Sequence, residues 1–319
     1  MTTPLPLPPE IEGRLGTWSY VERDGLVTLL GSEGDDGPII FGVTPSEIEL
    51  EWLETIDVID AGPGDDQIGY IGASLSWVFE GIIDGGPGFD LLEASLADQI
   101  IDLDLETAIG GGHDGAVITG IEDVTVSLAR GFPGASDLVS FLIGDGEDNF
   151  LTIEAGTGVL DGAGGDDFLT GGPNADALIG GPGNDDYFGG GGSDIFSLST
   201  DDYETGSGTW DVIDDFEVGV DVLSLDLGDA YFDGSALNVV DGIAEVSTED
   251  DFFELAAWVN LKGDRDSGVW ASDGNFADTG DRLGYEETDL ILNIDIDRVW
   301  DADITVVLFD VVDQLFEAA

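Results

Sequence analysis

The sequence is poorest in the residues that make disulfides, thiolate metal sites and positive charge. Its 319 residues include no cysteine and one histidine, and seven lysines and arginines stand against 70 aspartates and glutamates. The absence of cysteine excludes disulfide bonds and thiolate metal sites. The shortage of basic residues excludes a nucleic-acid-binding protein, because phosphate recognition needs clustered lysine and arginine. It argues against an anionic membrane surface as a partner for the same reason.

Three further kinds of segment are missing. No apolar run reaches the roughly 18 residues of a transmembrane helix, so we expect no insertion into a membrane. The first ten residues, MTTPLPLPPE, lack the basic stretch and apolar run of a Sec signal peptide. The HExxH motif of zinc proteases and the GxSxG motif of lipases are also absent, and one histidine leaves no ordinary zinc site. We therefore predict a protein without its own catalytic domain.

What the chain does contain is apolar material and a large negative charge. Hydrophobic residues make up 42% of it and seven tryptophans are present, which argues against disorder and places the tryptophans in a core rather than along a sugar groove. The formal net charge of −63 opposes the compact state through self-repulsion. The expected counter-charge is a metal ion. Carboxylate and carbonyl oxygens favour a hard cation such as calcium.

A nine-residue repeat runs through residues 162–197. Cut every nine residues, this stretch reads GAGGDDFLT GGPNADALI GGPGNDDYF GGGGSDIFS. Every repeat has an aspartate at its sixth position and a large apolar residue at its eighth. The aspartates are Asp167, Asp176, Asp185 and Asp194, and the apolar residues are Leu169, Leu178, Tyr187 and Phe196.

Each repeat predicts one turn followed by one short strand. Glycine tolerates positive φ and close backbone approach, so the glycine-rich six residues predict the turn, and the last three predict a strand with its middle side chain inward. Two repeats then form one coil of a solenoid, and equivalent residues of successive coils stack. The stacked apolar residues are Leu169 with Tyr187 and Leu178 with Phe196.

The same stacking brings acids together. Asp167 is expected near Asp185, and Asp176 near Asp194. At about 4–5 Å and an effective dielectric near 20, each bare pair would repel by roughly 3–4 kcal/mol. A calcium ion between them reverses the sign, because it binds about 6–8 oxygens, including backbone carbonyls that glycine turns expose. The motif therefore predicts a ladder of calcium ions along each edge of the solenoid.

Weaker copies of the repeat precede the central array. AGPGDDQIG carries Asp66 and GGPGFDLLE carries Asp90, and we take GSEGDDGPI, with Asp36, as the first copy of the series. Asp66 and Asp90 are either further calcium ligands or solvated turn acids. In the upstream repeat IEAGTGVLD the sixth position is Gly158, so this repeat lacks the acid that would lie beneath Asp176.

The GGxGxDxUx pattern resembles the nonapeptide of the RTX family of calcium-binding repeat proteins. The segment that follows, GGSDIFSLSTDDYETGSGTWDVIDDFEVGVDVLSLDL, is similar to the corresponding part of serralysin-type C-terminal domains. The resemblance implies a parallel β-roll in which calcium lies between the turns of alternate repeats. Its carboxylate ligands would be the four sixth-position aspartates. Its carbonyl ligands would be Ala163, Gly165, Gly172, Asn174, Gly181, Gly183, Gly190 and Gly192. Asn174 departs from the glycine of the motif mildly, since asparagine also adopts left-handed geometry.

The resemblance also implies where the protein works. It implies export by type I secretion machinery, an extracellular location, and folding on calcium after export. The remaining expected partner is a glycan or another cell-surface component, in a structural or adhesive role. Two alternatives stay open: an enzyme that acts on polysaccharide with acidic catalytic residues, and a secretion and folding module that serves another protein.

We divide the all-β chain into four regions. They are a disordered lead at 1–20, a strand-rich region of degenerate repeats at 21–143, the repeat array at 144–228, and a strand-rich cap at 229–319 that carries the secretion signal. Within the cap, STEDDFFELAAWVNL at 247–261 predicts one helix, with Thr248 as its N-cap.

Overall fold

The structure is a computed structural model that describes somewhat more than half of the chain, in ranges separated by gaps. The predicted helix at 247–261 and the single histidine, His113, lie outside the described residues. The described residues are 3–4, 6–7, 11, 15–40, 52, 54–71, 80–95, 99–103, 106–110, 115–127, 139–199, 209–217, 219–226, 238–240, 243–246, 269–273, 290–294 and 304–308.

The described residues form strands and turns with almost no helix, which confirms the all-β expectation. None of their helical structure is long and apolar enough to span a membrane. The chain divides into two compact units: an N-terminal unit, Met1–Asp145 with Asn149–Thr157, and a C-terminal unit, Gly146–Asp148 with Gly158–Ala319.

The N-terminal unit holds strands β1 to β15. These are Thr3–Pro4, Ser19–Arg23, Leu26–Leu30, Ile39–Ile40, Val58–Asp60, Gln67–Ile68, Tyr70–Ile71, Ile82–Asp84, Leu91–Ser95, Gln99–Asp102, Thr107–Gly110, Val117–Thr119, Asp123–Ser127, Val139–Ile143 and Phe150–Ile153.

Two parallel runs of strands organise this unit. One sheet contains β3-β5-β8-β12 in parallel, and the other contains β6-β9-β13-β15 in parallel. At one end of the first sheet, β2 pairs antiparallel with β3, and β1 pairs antiparallel with β2. At the other end, β11 pairs antiparallel with β12, and β10 pairs antiparallel with β11. Strand β14 then pairs in parallel with β10. Strands β4 and β7 form a separate parallel pair.

Part of the predicted lead takes part in this unit. Strand β1 lies within the first 20 residues, which we expected to be disordered, and pairs with β2. Ile11 is fully buried, and Trp18 is 5% exposed with its indole Nε1 donating a 2.7 Å hydrogen bond to the Gly37 carbonyl. Trp52 is also buried, so these two tryptophans are core residues as expected.

The C-terminal unit holds strands β16 to β27, apart from the first residue of β16. These are Thr157–Asp161, Phe168–Thr170, Ala177–Ile179, Asp186–Phe188, Ile195–Ser199, Thr209–Ile213, Val222–Asp226, Asn238–Val240, Ile243–Val246, Val269–Asp273, Leu290–Ile294 and Ile304–Leu308.

Successive strands of the C-terminal unit alternate between two sheets. Strands β16-β18-β20-β22 run parallel in one, and β17-β19-β21-β27 run parallel in the other. Antiparallel strands complete each sheet, with β24 and β23 on the first and β26 and β25 on the second. Strands β26 and β27 lie in the region 229–319, where we predicted a strand-rich cap.

The register confirms the predicted stacking of eighth-position side chains. Leu160 pairs with Leu178, Leu178 with Phe196, and Leu169 with Tyr187. All five are at most 1% exposed. A fully buried side chain of this size contributes about 1.5–3 kcal/mol, so the stack is the main apolar stabilisation of the repeats.

Glycine is required where the turns of successive coils touch. A Cβ on Gly183 would lie 1.7 Å from the Gly165 carbonyl oxygen, whereas a Cβ on Gly146 in the same unit would meet nothing within 4 Å. Backbone atoms cannot move aside without breaking the register of the strands that flank the turn.

We predict that Gly183→Ala destabilises the protein strongly and that Gly146→Ala does not. The first should cost at least about 2 kcal/mol through overpacking. The second should change the free energy of unfolding by less than about 1 kcal/mol, or raise it slightly by restricting the unfolded chain. Urea unfolding followed by far-UV circular dichroism measures both. Equal stability of the two variants would contradict the turn contact.

Candidate metal sites

The acids at the sixth position of the repeats are buried where each turn meets its strand. Asp167 and Asp185 are 0% exposed, Asp194 is 2% exposed and Asp176 is 3% exposed. Each immediately precedes the first residue of a strand. In the N-terminal unit, Asp36, Asp66 and Asp90 are also at most 2% exposed. Aspartate is seldom buried without a partner, so the environment of each carboxylate decides what the turns can bind.

In the C-terminal unit, backbone hydrogen bonds join these carboxylates into two ladders. On one edge the Asp167 N–H donates to Asp185 Oδ1 at 2.9 Å, and the Asp185 N–H donates to Asp211 Oδ1 at 3.2 Å. The structure therefore brings together Asp167 and Asp185, as predicted. It adds Asp211 as a third rung.

The second edge repeats this arrangement. The Asp176 N–H donates to Asp194 Oδ1 at 2.9 Å, and the Asp194 N–H donates to Asp221 Oδ1 at 3.0 Å. Gly158, which lacks a carboxylate, ends the ladder as a donor to Asp176 Oδ1. Asp176 and Asp194 are therefore neighbours, as predicted. Position 158 contributes a backbone N–H to this edge but no carboxylate.

The N-terminal unit contains a ladder of its own. The Asp36 N–H donates to Asp66 Oδ1 at 2.7 Å, and the Asp66 N–H donates to Asp90 Oδ1 at 2.8 Å. The Asp90 N–H donates to Glu122 Oε2 at 2.9 Å. The weaker sequence copies therefore place Asp66 and Asp90 in the same environment as the aspartates of the central array.

Four of the eight predicted carbonyl ligands face the next turn of their own edge, and the other four predicted residues are the glycines that they approach. The carbonyl oxygens of Ala163 and Gly165 lie 2.3 and 1.7 Å from where a Cβ of Gly181 and of Gly183 would sit. On the other edge, the oxygens of Gly172 and Asn174 approach Gly190 and Gly192 in the same way, at 2.2 and 2.6 Å. The second and fourth positions of successive turns are thus in contact, and the left-handed φ of 70° at Ala163 shows that the turn tolerates strain to keep this geometry.

One edge carries a second row of hydrogen bonds outside the buried ladder. The Asp166 N–H donates to Asp148 Oδ1 at 2.8 Å, and the Asn184 N–H and side-chain amide donate to Asp166 Oδ1 at 2.9 and 2.8 Å. The buried bonds run from each coil to the next one, and the outer bonds run in the reverse direction. On the other edge the fifth positions are Ala175 and Ser193, which have no carboxylate, so the two edges differ in how firmly their turns are joined.

The buried carboxyls carry raised pKa values, mainly because burial disfavours the charged form. Burial raises the pKa of Asp194 to about 6 and that of Asp90 to about 7, and nearby carboxylates add to both effects. The pKa values of Asp66 and Asp176 are also raised by burial, while backbone N–H donors partly oppose the effect. The turns therefore hold negative charge at an electrostatic cost that a bound cation would remove.

The described residues offer these acids little positive charge. Arg23 is the only basic side chain among them; it is exposed and forms an ion pair with the half-buried Asp60. Two buried oxygens, Oδ2 of Asp66 and Oδ2 of Asp90, have no hydrogen-bond partner. Buried carboxylate oxygens without partners are costly unless they coordinate a metal. The residues present therefore fit a hard divalent cation.

The ligands of such a cation would be mostly backbone oxygens. Within the described ranges, no three histidine, cysteine, aspartate or glutamate side chains converge to hold a metal. Each turn supplies one buried carboxylate and the carbonyls of its second and fourth positions. A set of few carboxylates and several carbonyls is one that calcium accepts, because it binds about 6–8 oxygens in flexible geometry.

Sequence patterns missed three members of the ladders. Asp211 and Asp221 lie beyond the last regular repeat, and Glu122 lies in a turn without the glycine-rich motif. One signal could have identified Asp221: the Glu217 N–H donates to Asp221 Oδ2 at 2.7 Å, and the Gly172 N–H donates to Asp176 Oδ2 at the same distance and the same spacing of four residues. A broader sequence motif would therefore identify both aspartates. It consists of an acid directly before a strand with alternating apolar residues, four residues after the start of a turn.

No protein-family model matches the chain, and no curated protein matches it significantly. The resemblance to RTX repeats accordingly stays a prediction drawn from the motifs.

We predict that the calcium-free protein loses stability as the pH rises from about 4 to about 7. The pKa values of Asp194 and Asp90, raised from 3.8 to about 6 and about 7, mean that the folded state binds protons that the unfolded state releases. This stabilisation is complete below about pH 4 and is lost as the pH passes through 6 and 7. For Asp194 it is on the order of 3 kcal/mol. Urea midpoints in metal-free buffer measure it.

A variant separates this effect from the general repulsion of a highly charged chain. Asp194→Asn removes the titration and should flatten the pH dependence, whereas the exposed control Asp166→Asn should leave its slope unchanged. A midpoint that rises with pH in the calcium-free wild type, or the same slope in all three proteins, would contradict the prediction.

Proposed function

We propose that this chain is a secreted calcium-binding repeat protein that folds as a parallel β-roll when it binds calcium outside the cell. Its role is structural or adhesive, and it has no catalytic domain of its own. The single observation that carries the proposal is the set of ladders, in which the buried carboxylate of one turn accepts the backbone N–H of the equivalent residue in the neighbouring turn.

The strand order supports the β-roll. Strands β16 to β22 alternate between two parallel sheets, and the paired residues Leu160 and Leu178, or Leu169 and Tyr187, are separated by two nine-residue repeats. A turn, a strand, a turn and a strand make one coil. The cores of successive coils stack on each other, as expected of a solenoid.

The charge balance supports calcium-dependent folding. A chain with a formal net charge of −63 that buries aspartates in successive turns opposes its own compaction until cations bind. A ligand present at about 100 times its dissociation constant stabilises the folded state by about 2.7 kcal/mol for each site. Several such sites together exceed the marginal stability of an ordinary domain.

Export rests on the RTX resemblance and on the calcium requirement. A chain that folds on calcium would remain unfolded in a low-calcium cytosol, pass through type I secretion machinery, and fold where calcium is abundant. The absence of cysteine is consistent with stabilisation by metal ions in place of disulfides.

Two exposed aromatic side chains, one in a turn and one at the start of a strand, support a surface-binding role. In the N-terminal unit, Phe89 and Phe150 are 40% and 37% exposed, and their rings meet edge to face at a centroid distance of 5.2 Å. Phe150 lies in a row with Asp123 and Leu91 on neighbouring parallel strands. Aromatic and carboxylate groups side by side suit a glycan, whose C–H faces pack on rings and whose hydroxyls donate to carboxylates.

We predict that calcium removal unfolds or strongly destabilises the wild type and that Asp185→Asn gains less stability from calcium than the wild type does. Asparagine keeps the acceptor for the Asp167 N–H but removes a buried charge. In EGTA the variant should be as stable as the wild type or more so. In calcium it should be less stable by about 2.7 kcal/mol if one site is lost at 100 times the dissociation constant.

Thermal and urea unfolding followed by circular dichroism, with and without calcium, measures this interaction. The matched control is Asp186→Asn, which removes the same charge from the adjacent half-buried residue and should gain as much from calcium as the wild type. Identical spectra and melting temperatures of the wild type with calcium and with EGTA would reject calcium-dependent folding.

We further predict calcium-dependent binding of the full chain to glycans. Binding on a glycan array should be present with calcium, lost with EGTA, and at least about tenfold weaker in the double variant Phe89→Ala/Phe150→Ala. A folded, calcium-loaded wild type that binds no glycan or cell surface would reject the adhesive role and leave calcium-dependent folding intact.

A further inference from the structure

The last turn of the N-terminal ladder differs from the others in length and in its acid. Six residues, 85–90, connect β8 to β9, whereas only 120–122 connect β12 to β13. This short turn, Gly-Ile-Glu, lacks the glycine-rich motif of the repeats. Even so, Asp123 pairs with Leu91, so Glu122 occupies the position before the strand that Asp90 occupies one coil earlier.

Glu122 makes the hydrogen bond that an aspartate makes in the other turns. Its Oε2 accepts the Asp90 N–H at 2.9 Å, just as Asp90 Oδ1 accepts the Asp66 N–H at 2.8 Å. The turn is three residues shorter, and glutamate is one methylene longer than aspartate. The longer side chain of Glu122 therefore reaches the Asp90 N–H from a shorter turn.

An unpartnered buried oxygen points into the space between these two turns. Asp90 is 0% exposed, and its Oδ2 has no hydrogen-bond partner. A Cβ on Gly85 would lie 2.7 Å from this oxygen and 1.9 Å from the Gly120 carbonyl oxygen. The two oxygens are thus at most the sum of these distances apart, about 4.6 Å, which suits two ligands of one calcium ion at about 2.3–2.6 Å each.

The space between the two turns lies beside the carboxylates of Asp90 and Glu122 and is shielded from solvent. Burial raises the pKa of Glu122, and the neighbouring carboxylate of Asp145 raises it further. The Gly86 carbonyl oxygen lies 3.0 Å from where a Cβ of Gly120 would sit, so a second backbone oxygen is close. Two carboxylates, two carbonyls and water would complete the coordination of a hard divalent cation.

We infer that Asp90, Glu122 and the Gly120 carbonyl form a further calcium site between the turn at 85–90 and the short turn at 120–122. This site lies at the end of the N-terminal ladder. Its last acid is a glutamate, and the turn that carries this glutamate is not a nonapeptide repeat. The site rests on the proposed function, since it takes the same ion, but it depends on a residue outside every repeat.

The test is the number of calcium ions that the full chain binds. Equilibrium dialysis with radioactive calcium should show one ion fewer for each Glu122→Gln chain, or one site at least about tenfold weaker. Asp90→Asn, which keeps an acceptor for the Asp66 N–H, should lose at least the same ion. The control Glu154→Gln, an exposed residue of the same unit, should bind as many ions as the wild type. Circular dichroism checks that each variant folds.

The outcomes separate this site from the wider proposal. A wild type that binds no calcium rejects the proposed function as a whole. A wild type that binds calcium and loses an ion with Asp185→Asn, while a folded Glu122→Gln keeps its full number, rejects only the site at Glu122. If neither ladder variant folds, anomalous scattering from a terbium-soaked wild-type crystal decides. A peak between the two turns supports the site, and its absence beside peaks in other turns rejects it.

Discussion

The fold depends on one recurring interaction, the hydrogen bond from the backbone N–H before a strand to the carboxylate of the equivalent residue in the next coil. The bonds from Asp66 to Asp90, from Asp167 to Asp185 and from Asp176 to Asp194 are 2.8 to 2.9 Å long. Such a bond exists only when the strands of both coils are in register. The hydrogen bond therefore fixes how the core side chains of the two coils stack. It also requires each acid to be buried, because the accepting carboxylate lies against the backbone of the adjacent coil.

This interaction creates the electrostatic problem that the protein must solve. Every coil added to a ladder buries another carboxylate beside the last, and the raised pKa values of Asp90 and Asp194 record the cost. Protons relieve that cost at low pH, and a divalent cation would relieve it at neutral pH. Register and burial are thus consequences of the same geometry. The calcium dependence that we propose has the same origin, because the group that aligns the coils is also the group that a cation would bind.

The sequence predicted the parts of the fold that its period controls. A constant spacing of nine residues placed Leu178 against Phe196 and Asp167 beside Asp185, because equal coil lengths leave one possible register. It did not predict Asp211 or Glu122 as rungs. Where the period breaks, the coil length is set by loops whose geometry no local pattern encodes, so the residue that meets a given acid is known only from the structure. Turn acids without repeats were therefore indistinguishable from solvated ones.

The irregular rungs show what the ladder conserves and what it leaves free. Successive partners are 18 residues apart at Asp167 and Asp185, 24 at Asp66 and Asp90, and 32 at Asp90 and Glu122, yet the bond is the same. The constant feature is an acid at the entry to a strand, which the repeat turns supply as an aspartate and the three-residue turn at 120–122 supplies as a glutamate. Longer coils place their extra residues elsewhere, so they can carry insertions without disturbing the buried carboxylates. Strand register therefore determines which acids are joined in a ladder. The regular nine-residue array is the case in which the coils all have the same length.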